Sequence, residues 1–593
     1  MNKIPLKKRA KASNRTIVPV GPKPVGAWRG RFILIGFAVM AALSVSRAFH
    51  LQVIERDFLR SEGDKRQVRN LTIPGHRGAI LDRNGEPLAL SAPVSSVWVV
   101  PDAVLADPES VKRLAEGLGR APSELQTFLA ARKGRQFVYL REQISPHEAR
   151  RLLDLKVPGV FSESDFARYY PAGEVAAQVV GFAGRDGIGL EGMEKAQEAR
   201  LSGTAGNRRV IRDRSGRVIE DGGEFTPAVA GESLNLSLDL RVQYLAYREL
   251  AAAVAKTEAK GGLVVIANAQ TGEILAMAAQ PGFNPNNGDA RGFAAGIRNR
   301  AVVDGFEPGS TIKPLLVAQA LELGLYNTQS IIDVTGGTLQ VGRLTVRDIA
   351  RRGEIDLATL LAVSSNVGAA KIALAMGAEN VWAGYQRFGL GEPVFSGFPG
   401  EALPVLRHFT DWGQIATATA SYGYGVSVNA LHMVRAYAAL ANDGMMPQLT
   451  LFSDGLRAPP QRAVSPATAR QVREMLEQVV AEGGTGKRAR VEGYRVAGKS
   501  GTARKVAATG GYSANKHQAI FIGMVPVERP RLVGIVMIDE PKGQYYGGQV
   551  AAPVFSEVMQ GAARLLQIAP DAQPVQPQMI ESAALPSSGV TRR

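Results

Sequence analysis

The 593-residue chain contains no cysteine. Disulfides, thiolate zinc sites and a cysteine nucleophile are therefore excluded, and the composition fits an oxidising compartment. Histidine is scarce. The six, at positions 50, 76, 147, 408, 432 and 517, form no His-Glu-x-x-His or other short-spaced ligand pair, so no metal centre and no cofactor is expected. Acidic residues are missing from residues 1–31, which hold nine of the 70 Lys and Arg. The other 61 stand against 54 acidic groups, so the net charge of +16 is largely a short basic head rather than a nucleic-acid-binding surface. Long apolar runs are missing everywhere but once. Phe32–Ser46 is apolar and continues past Arg47 to Ile54, which reaches the roughly 20 residues that a membrane span needs. Such a run after a basic head predicts an uncleaved anchor over 32–54, with 1–31 cytoplasmic and everything after about 55 on the far side.

At 593 residues the chain holds several structural units. Five segments are expected: the head (1–31), the anchor (32–54), a mixed N-terminal module (55–230), an α/β layered domain (231–567) and a Pro-, Gln-, Ala- and Ser-rich disordered tail (568–593). In the module, Arg77–Ala89 reads as strand, Asn-Gly turn, strand, and Ser95–Val100 as strand. Residues 103–155 are charged and helical in period, with breaks, and Arg212–Ile219 is another turn between extended residues. In the larger domain Asp239–Lys260 is an Ala-rich helix. Gly262–Asn268 and Glu273–Ala278 form a hairpin, and helices fill 311–380 and 410–442. Strands return at Tyr494–Ala497, Ala519–Val525 and Leu532–Ile538, so one sheet should join the two ends of the domain.

Three short motifs carry chemistry. Ser310-Thr311-Ile312-Lys313 follows a turn and opens an apolar helix, because Pro314 is tolerated only in a first turn. Lys313 then shares a helix face with Ser310. A serine needs an adjacent base to attack at neutral pH. A lysine serves only if burial or a neighbouring cation lowers its pKa, and Lys499 is a candidate for that cation. A helix cap with a solvated lysine is the plain alternative. Ser364-Ser365-Asn366 interrupts an apolar helical stretch. Its hydroxyl could relay a proton and Asn366 could bind an amide; a helix–helix turn with local caps would look the same. Lys499-Ser500-Gly501-Thr502 ends an extended segment, with hydroxyls and an ammonium suited to a carboxylate and with Gly501 permitting close approach of a ligand. A second Ser-x-x-K, Ser513–Lys516, precedes a strand rather than a helix and is set aside. Gly493–Ser500 matches the phosphate-loop pattern literally, but its intervening residues look extended and no helix follows, so a nucleotide-binding reading is rejected.

In order and context the three motifs resemble the set used by penicillin-interacting serine enzymes. From about Phe32 to Gln567 the chain resembles the class B penicillin-binding proteins. Arg77–Ala89, Arg168–Pro171, Gly192–Glu194, Tyr422–Gly425, Ala436–Gly444 and Tyr545–Phe555 carry the likeness, and Ser91–Trp98 with the compact length favours the division-specific branch over the elongation-specific one. The resemblance implies a peptidoglycan D,D-transpeptidase. Ser310 would be its nucleophile and Lys313 its base. Ser364 and Asn366 would assist proton transfer and substrate placement. Lys499, Ser500 and Thr502 would bind the terminal carboxylate beside Gly501, and Tyr545 and Tyr546 would wall the site. The N–H groups of Ser310 and Thr502 would form the oxyanion hole. β-Lactams would be inhibitors. The partners implied are stem peptides, a membrane-embedded glycan polymerase of the FtsW type and other division proteins. A carboxypeptidase or β-lactamase, or a non-catalytic division scaffold, are the competing readings.

Overall fold

A computed structural model describes residues 27–59, 68–73, 75–212, 218–287, 296–455, 457–506 and 510–572. Most of the basic head, the turn at 213–217 and the tail from 573 lie outside these residues. The chain divides into two compact units. The first holds residues up to Ile73 together with Gly206–Pro227. In it, the helix Ala27–Phe49 runs on through a π-helical turn at His50–Ile54. Gly30–Ile54 spans 25 residues, or ~37 Å at ~1.5 Å per residue, enough to cross a membrane. Strands Val68–Ile73, Gly206–Arg212 and Val218–Thr226 form a three-stranded antiparallel sheet in the same unit.

The second unit holds Pro74–Ala205 and everything from Ala228. Its α/β layers are built from helix α1 (Leu240–Lys256), strands β1 (Gly261–Asn268) and β2 (Ile274–Gln280), and helices α2 (Lys313–Glu322), α3 (Leu357–Val363), α4 (Asn366–Met376), α5 (Ala430–Ala441) and α6 (Pro466–Val480). Strands β3 (Ala497–Val506), β4 (Tyr512–Val525) and β5 (Leu532–Asp539) and helix α7 (Gly547–Leu565) complete them. The strands pair antiparallel in the order β2-β1-β5-β4-β3, joining the two ends of the domain as expected. Alternate residues face opposite layers. Val264, Ile266, Phe521 and Val536 pack against α1 and α7, whereas Leu263, Val265, Ile520, Ile522 and Ile535 face the helical layer holding α2 and α5.

Three expectations need correction. Residues 311–380 are not continuously helical: short strands at Ile331–Asp333, Thr338–Val341, Leu344–Arg347 and Glu354–Asp356 intervene. There the chain turns at Gly336, Gly337 and Gly342, all at positive φ, and β-branched residues suit the extended pieces between. The stretch 410–442 breaks at Gly423 and Gly425, also at positive φ. The late strand does not end before Lys499; it begins at Ala497 and carries the motif within it, because β4 pairs it residue by residue from Ala497–Met524 to Arg504–His517.

The N-terminal module in this unit has Pro87–Val99 as its long strand, paired on either side with Val138–Ile144 and Val160–Tyr169. The Asn-Gly turn is present, with Ile80 opposite Ala89. Buried Glu194 receives Arg77 Nε at 2.5 Å and Arg168 Nε at 2.6 Å. Among the contacts that clasp the module to the larger domain, two reach α1 and β2. Asp82 accepts the N–H of Leu240 at 3.0 Å, and Gln178 accepts the N–H of Ala279 on β2 at 3.1 Å while donating to the carbonyls of Pro281 and Gly296. Removing the carboxylate in Glu194→Ala leaves buried Arg168 without its carboxylate and Arg77 with Glu198 alone. It should cost about 3–5 kcal/mol, read as a lowered midpoint in thermal or denaturant unfolding.

Candidate active site

The nucleophile candidate sits on a turn held from three sides. Ser310 lies in a single 3-10 turn, Gly309–Ile312, that leads into α2. Tyr437 of α5, fully buried, donates to the carbonyl of Thr311 at 2.7 Å. Gly423 packs on the backbone of Gly309, where a Cβ would come within 2.2 Å of the carbonyl oxygen. From the sheet side β3 closes in. A Cβ on Gly501 would lie 2.8 Å from Thr311 Cγ2. Gly501 therefore admits the serine turn itself, whereas the sequence suggested close approach of a ligand.

Lys313, one turn on, is completely buried. Its ammonium nitrogen donates to the carbonyl of Ser364 at 2.8 Å, to Ser364 Oγ at 3.2 Å and to Asn366 Oδ1 at 2.7 Å. Those acceptors come from a junction rather than a helix interior: α3 ends at Ser364, whose φ is 62°, and Ser365 caps α4 by accepting the N–H of Gly368. The motif is thus both the helix–helix turn with caps and the lysine's cradle. Burial pushes the Lys313 pKa well below the usual lysine value, the Lys499 charge lowers it further, and Asp348 raises it. Lys499 is equally buried, with its nitrogen 2.9 Å from the Ser500 carbonyl, and burial pushes it down to about 7. Burial lowers both, and a charge on Lys499 favours the neutral form of Lys313.

The rest of the third motif sits alongside. Ser500 donates to Thr485 Oγ1 at 2.9 Å, and Thr502 Oγ1 accepts the N–H of Gly547, the first residue of α7, at 3.1 Å. Tyr545 and Tyr546 precede that residue. Their rings lie 4.6 Å apart, and Tyr545 stacks on His517 at 4.2 Å. Gly547 abuts the Gly501 carbonyl, where a Cβ would come within 2.2 Å, so both tyrosines stand beside the motif strand. Ser513–Lys516 lies on β4, and Gly493–Ser500 runs into β3 without a helix.

Several supporting residues were not identified in the sequence. Asp348 accepts from Ser365 Oγ and the N–H of Asn366, both at 2.6 Å, and from the N–H of Val367 at 2.9 Å. It thereby fixes the second motif with a carboxylate at a helix N-terminus. Thr485 passes the Ser500 contact on to the Ala362 carbonyl at 3.0 Å. Neither lies in a motif; only a cap-type acid 16 to 18 residues ahead of the helix could have hinted at Asp348.

With this geometry in view, the comparisons with known proteins become specific. Residues 262–560 match the penicillin binding protein transpeptidase domain, and residues 72–236 the penicillin-binding protein dimerisation domain. The chain belongs to the class B penicillin-binding proteins. It is 41% identical over 545 residues to the probable peptidoglycan D,D-transpeptidase PbpC of Pseudomonas aeruginosa, covering 91% of this chain and 96% of the relative. It is 39% identical over 550 residues to the peptidoglycan D,D-transpeptidase FtsI of Escherichia coli, covering 91% and 93%. Among solved structures, penicillin binding protein 3 of Mycobacterium tuberculosis in complex with aztreonam aligns with a TM-score of 0.67 at 27% identity over 85% of this chain and 98% of that one.

Two pH-dependent outcomes follow for this penicillin-binding protein. A neutral Lys313 and a charged Lys499 are needed together. Acylation should therefore fall on the acid side as Lys313 gains its proton, and on the alkaline side as Lys499 loses its own. The alkaline limb should vanish for acylating agents that lack the carboxylate. In Asp348→Asn the charge that raises the Lys313 pKa is gone, so the acid limb of kcat/KM should move to lower pH, with acylation slowed about tenfold by the loosened second motif.

Proposed function

We propose that the protein is a serine peptidoglycan D,D-transpeptidase that crosslinks stem peptides during septal wall synthesis. One observation carries the reading: a wholly buried lysine, its pKa lowered by burial and by a second buried lysine, one helical turn from a serine and cradled by Ser364 and Asn366. Ser310 Oγ attacks the carbonyl of the penultimate D-Ala and Lys313 takes its proton. The C–N bond to the terminal D-Ala breaks, and that amine leaves with a proton relayed through Ser364. Lys499, with Ser500 and Thr502 beside Gly501, holds the free carboxylate, while the N–H groups of Ser310 and Thr502 face the developing oxyanion. Tyr545 and Tyr546 wall the cleft. An amine from a second stem peptide then attacks the ester and restores Ser310. A β-lactam follows the first half of this course and stays attached, because its leaving group remains tethered.

The anchor helix follows a basic head, which favours a single pass with the N-terminus in the cytoplasm and the catalytic unit in the periplasm. The 55–230 module then serves as pedestal and contact surface for a polymerase of the FtsW type and other division proteins, the 231–567 region as the transpeptidase domain, and 568–593 as a tail. The likeness to FtsI supports the septal assignment. Fluorescent penicillin should label the wild-type protein at Ser310 and leave Ser310→Ala unlabelled. An adduct lasting hours is expected, whereas loss within a second would make the protein a β-lactamase-type hydrolase.

A further inference from the structure

The two hydroxyls of the third motif are not equivalent donors. Ser500 and Thr502 share one face of β3, and a carboxylate in the cleft needs a proton from each hydroxyl that grips it. Thr502 Oγ1 accepts the N–H of Gly547 at 3.1 Å, and among the described residues nothing accepts its own proton. Ser500 differs. Its Oγ lies 2.9 Å from Thr485 Oγ1, and Thr485 Oγ1 lies 3.0 Å from the carbonyl of Ala362. A carbonyl only accepts, and a threonine hydroxyl has a single proton. That proton goes to Ala362, so the bond between the two hydroxyls must use the proton of Ser500. What Ser500 has left for the cleft is lone pairs.

Thr485 is fixed well enough to hold that bond. It lies outside all three motifs, in the segment between α6 and β3. Its N–H also donates to the Ala362 carbonyl, at 3.1 Å, near the end of α3. The next N–H, of Gly486, donates to the carbonyl of Val479 on α6 at 2.8 Å. From α7, Gly548 comes so close that a Cβ there would lie 1.8 Å from the Thr485 carbonyl oxygen. Three helices thus pin the backbone that carries the hydroxyl. To turn its proton to a carboxylate, Ser500 must leave Thr485. Two oxygens then face each other at hydrogen-bond distance with no proton between them, an unfavourable arrangement.

We infer that Thr485 is a positioning residue that withholds the Ser500 proton from the cleft, and so limits how strongly the site selects a free acid. The inference rests on the transpeptidase reading. It leaves Thr502 and the Lys499 ammonium as the resting grip on the carboxylate, with Ser500 engaged only by breaking its bond to Thr485. The departing D-Ala carries the same carboxylate, so a moderated grip also lets it leave.

The test compares acylation of the purified full-length protein by benzylpenicillin and by its methyl ester, which lacks the charge. The readout is the ratio of the two second-order acylation constants. Thr485→Val keeps the shape and loses the hydroxyl, while the Ala362 carbonyl keeps the N–H of residue 485. Freed to donate, Ser500 should raise the preference for the free acid about fivefold over wild type, the effect of one recovered hydrogen bond. The gain should vanish when Ser500→Ala is added, and Thr485→Ser should keep the wild-type ratio. A merely structural role for Thr485 slows both agents and leaves the ratio unchanged or lower, which overturns the inference. A gain that survives in the double variant does the same. If Thr485→Val fails to fold, Ser500→Ala alone decides: a change in ratio under about twofold is expected, and a larger loss of preference overturns the inference. A wild-type protein acylated by neither agent would overturn the transpeptidase reading instead.

Discussion

Two lysines buried within reach of each other's charge are the constraint on which the catalytic unit is organised. Among the described residues neither ammonium has a carboxylate in direct contact; Lys313 is met by a carbonyl, a hydroxyl and an amide oxygen, and Lys499 by a carbonyl. Such a pair cannot both stay charged without water, so one must give way. Burial lowers the pKa of both, and the charge of Lys499 lowers that of Lys313 further. Everything around the pair keeps it dry and fixed: the sheet and the helical layer pack around it, Tyr437 pins the turn, and Gly501 lets β3 press against that turn.

The supporting framework works by the same economy of contacts. Asp348 holds the helix start from which Asn366 reaches the lysine. Its charge has two opposing effects. It steadies the motif, and it makes the lysine slightly harder to deprotonate. The balance favours deprotonation because burial and the second lysine act together against a single carboxylate.

What could be read in the sequence was what local geometry determines. Ser310 and Lys313 are one turn apart on any helix, and Pro314 fixes where that helix starts, so their relation needed no tertiary information. The hairpin around Thr271 and the Asn-Gly turn at 84–85 were legible for the same reason. Lys499 was misplaced relative to its strand because Gly498, Ser500 and Gly501 have little intrinsic preference for extended structure; pairing with β4 overrides it. The strands within 331–356 were hidden by their shortness. Asp348 and Thr485 belong to no motif, and their partners come from segments that only the folded chain brings near.

The clasps formed by Asp82 and Gln178 have a mechanical meaning. Gln178 grips β2, one rim of the five-stranded sheet, while the Lys499 motif occupies β3, the opposite rim. With neighbouring strands ~4.8 Å apart, the two rims are ~19 Å from each other across a hydrogen-bonded plate. A displacement of Gln178 would therefore reach the plate at the margin farthest from the strand that carries Lys499.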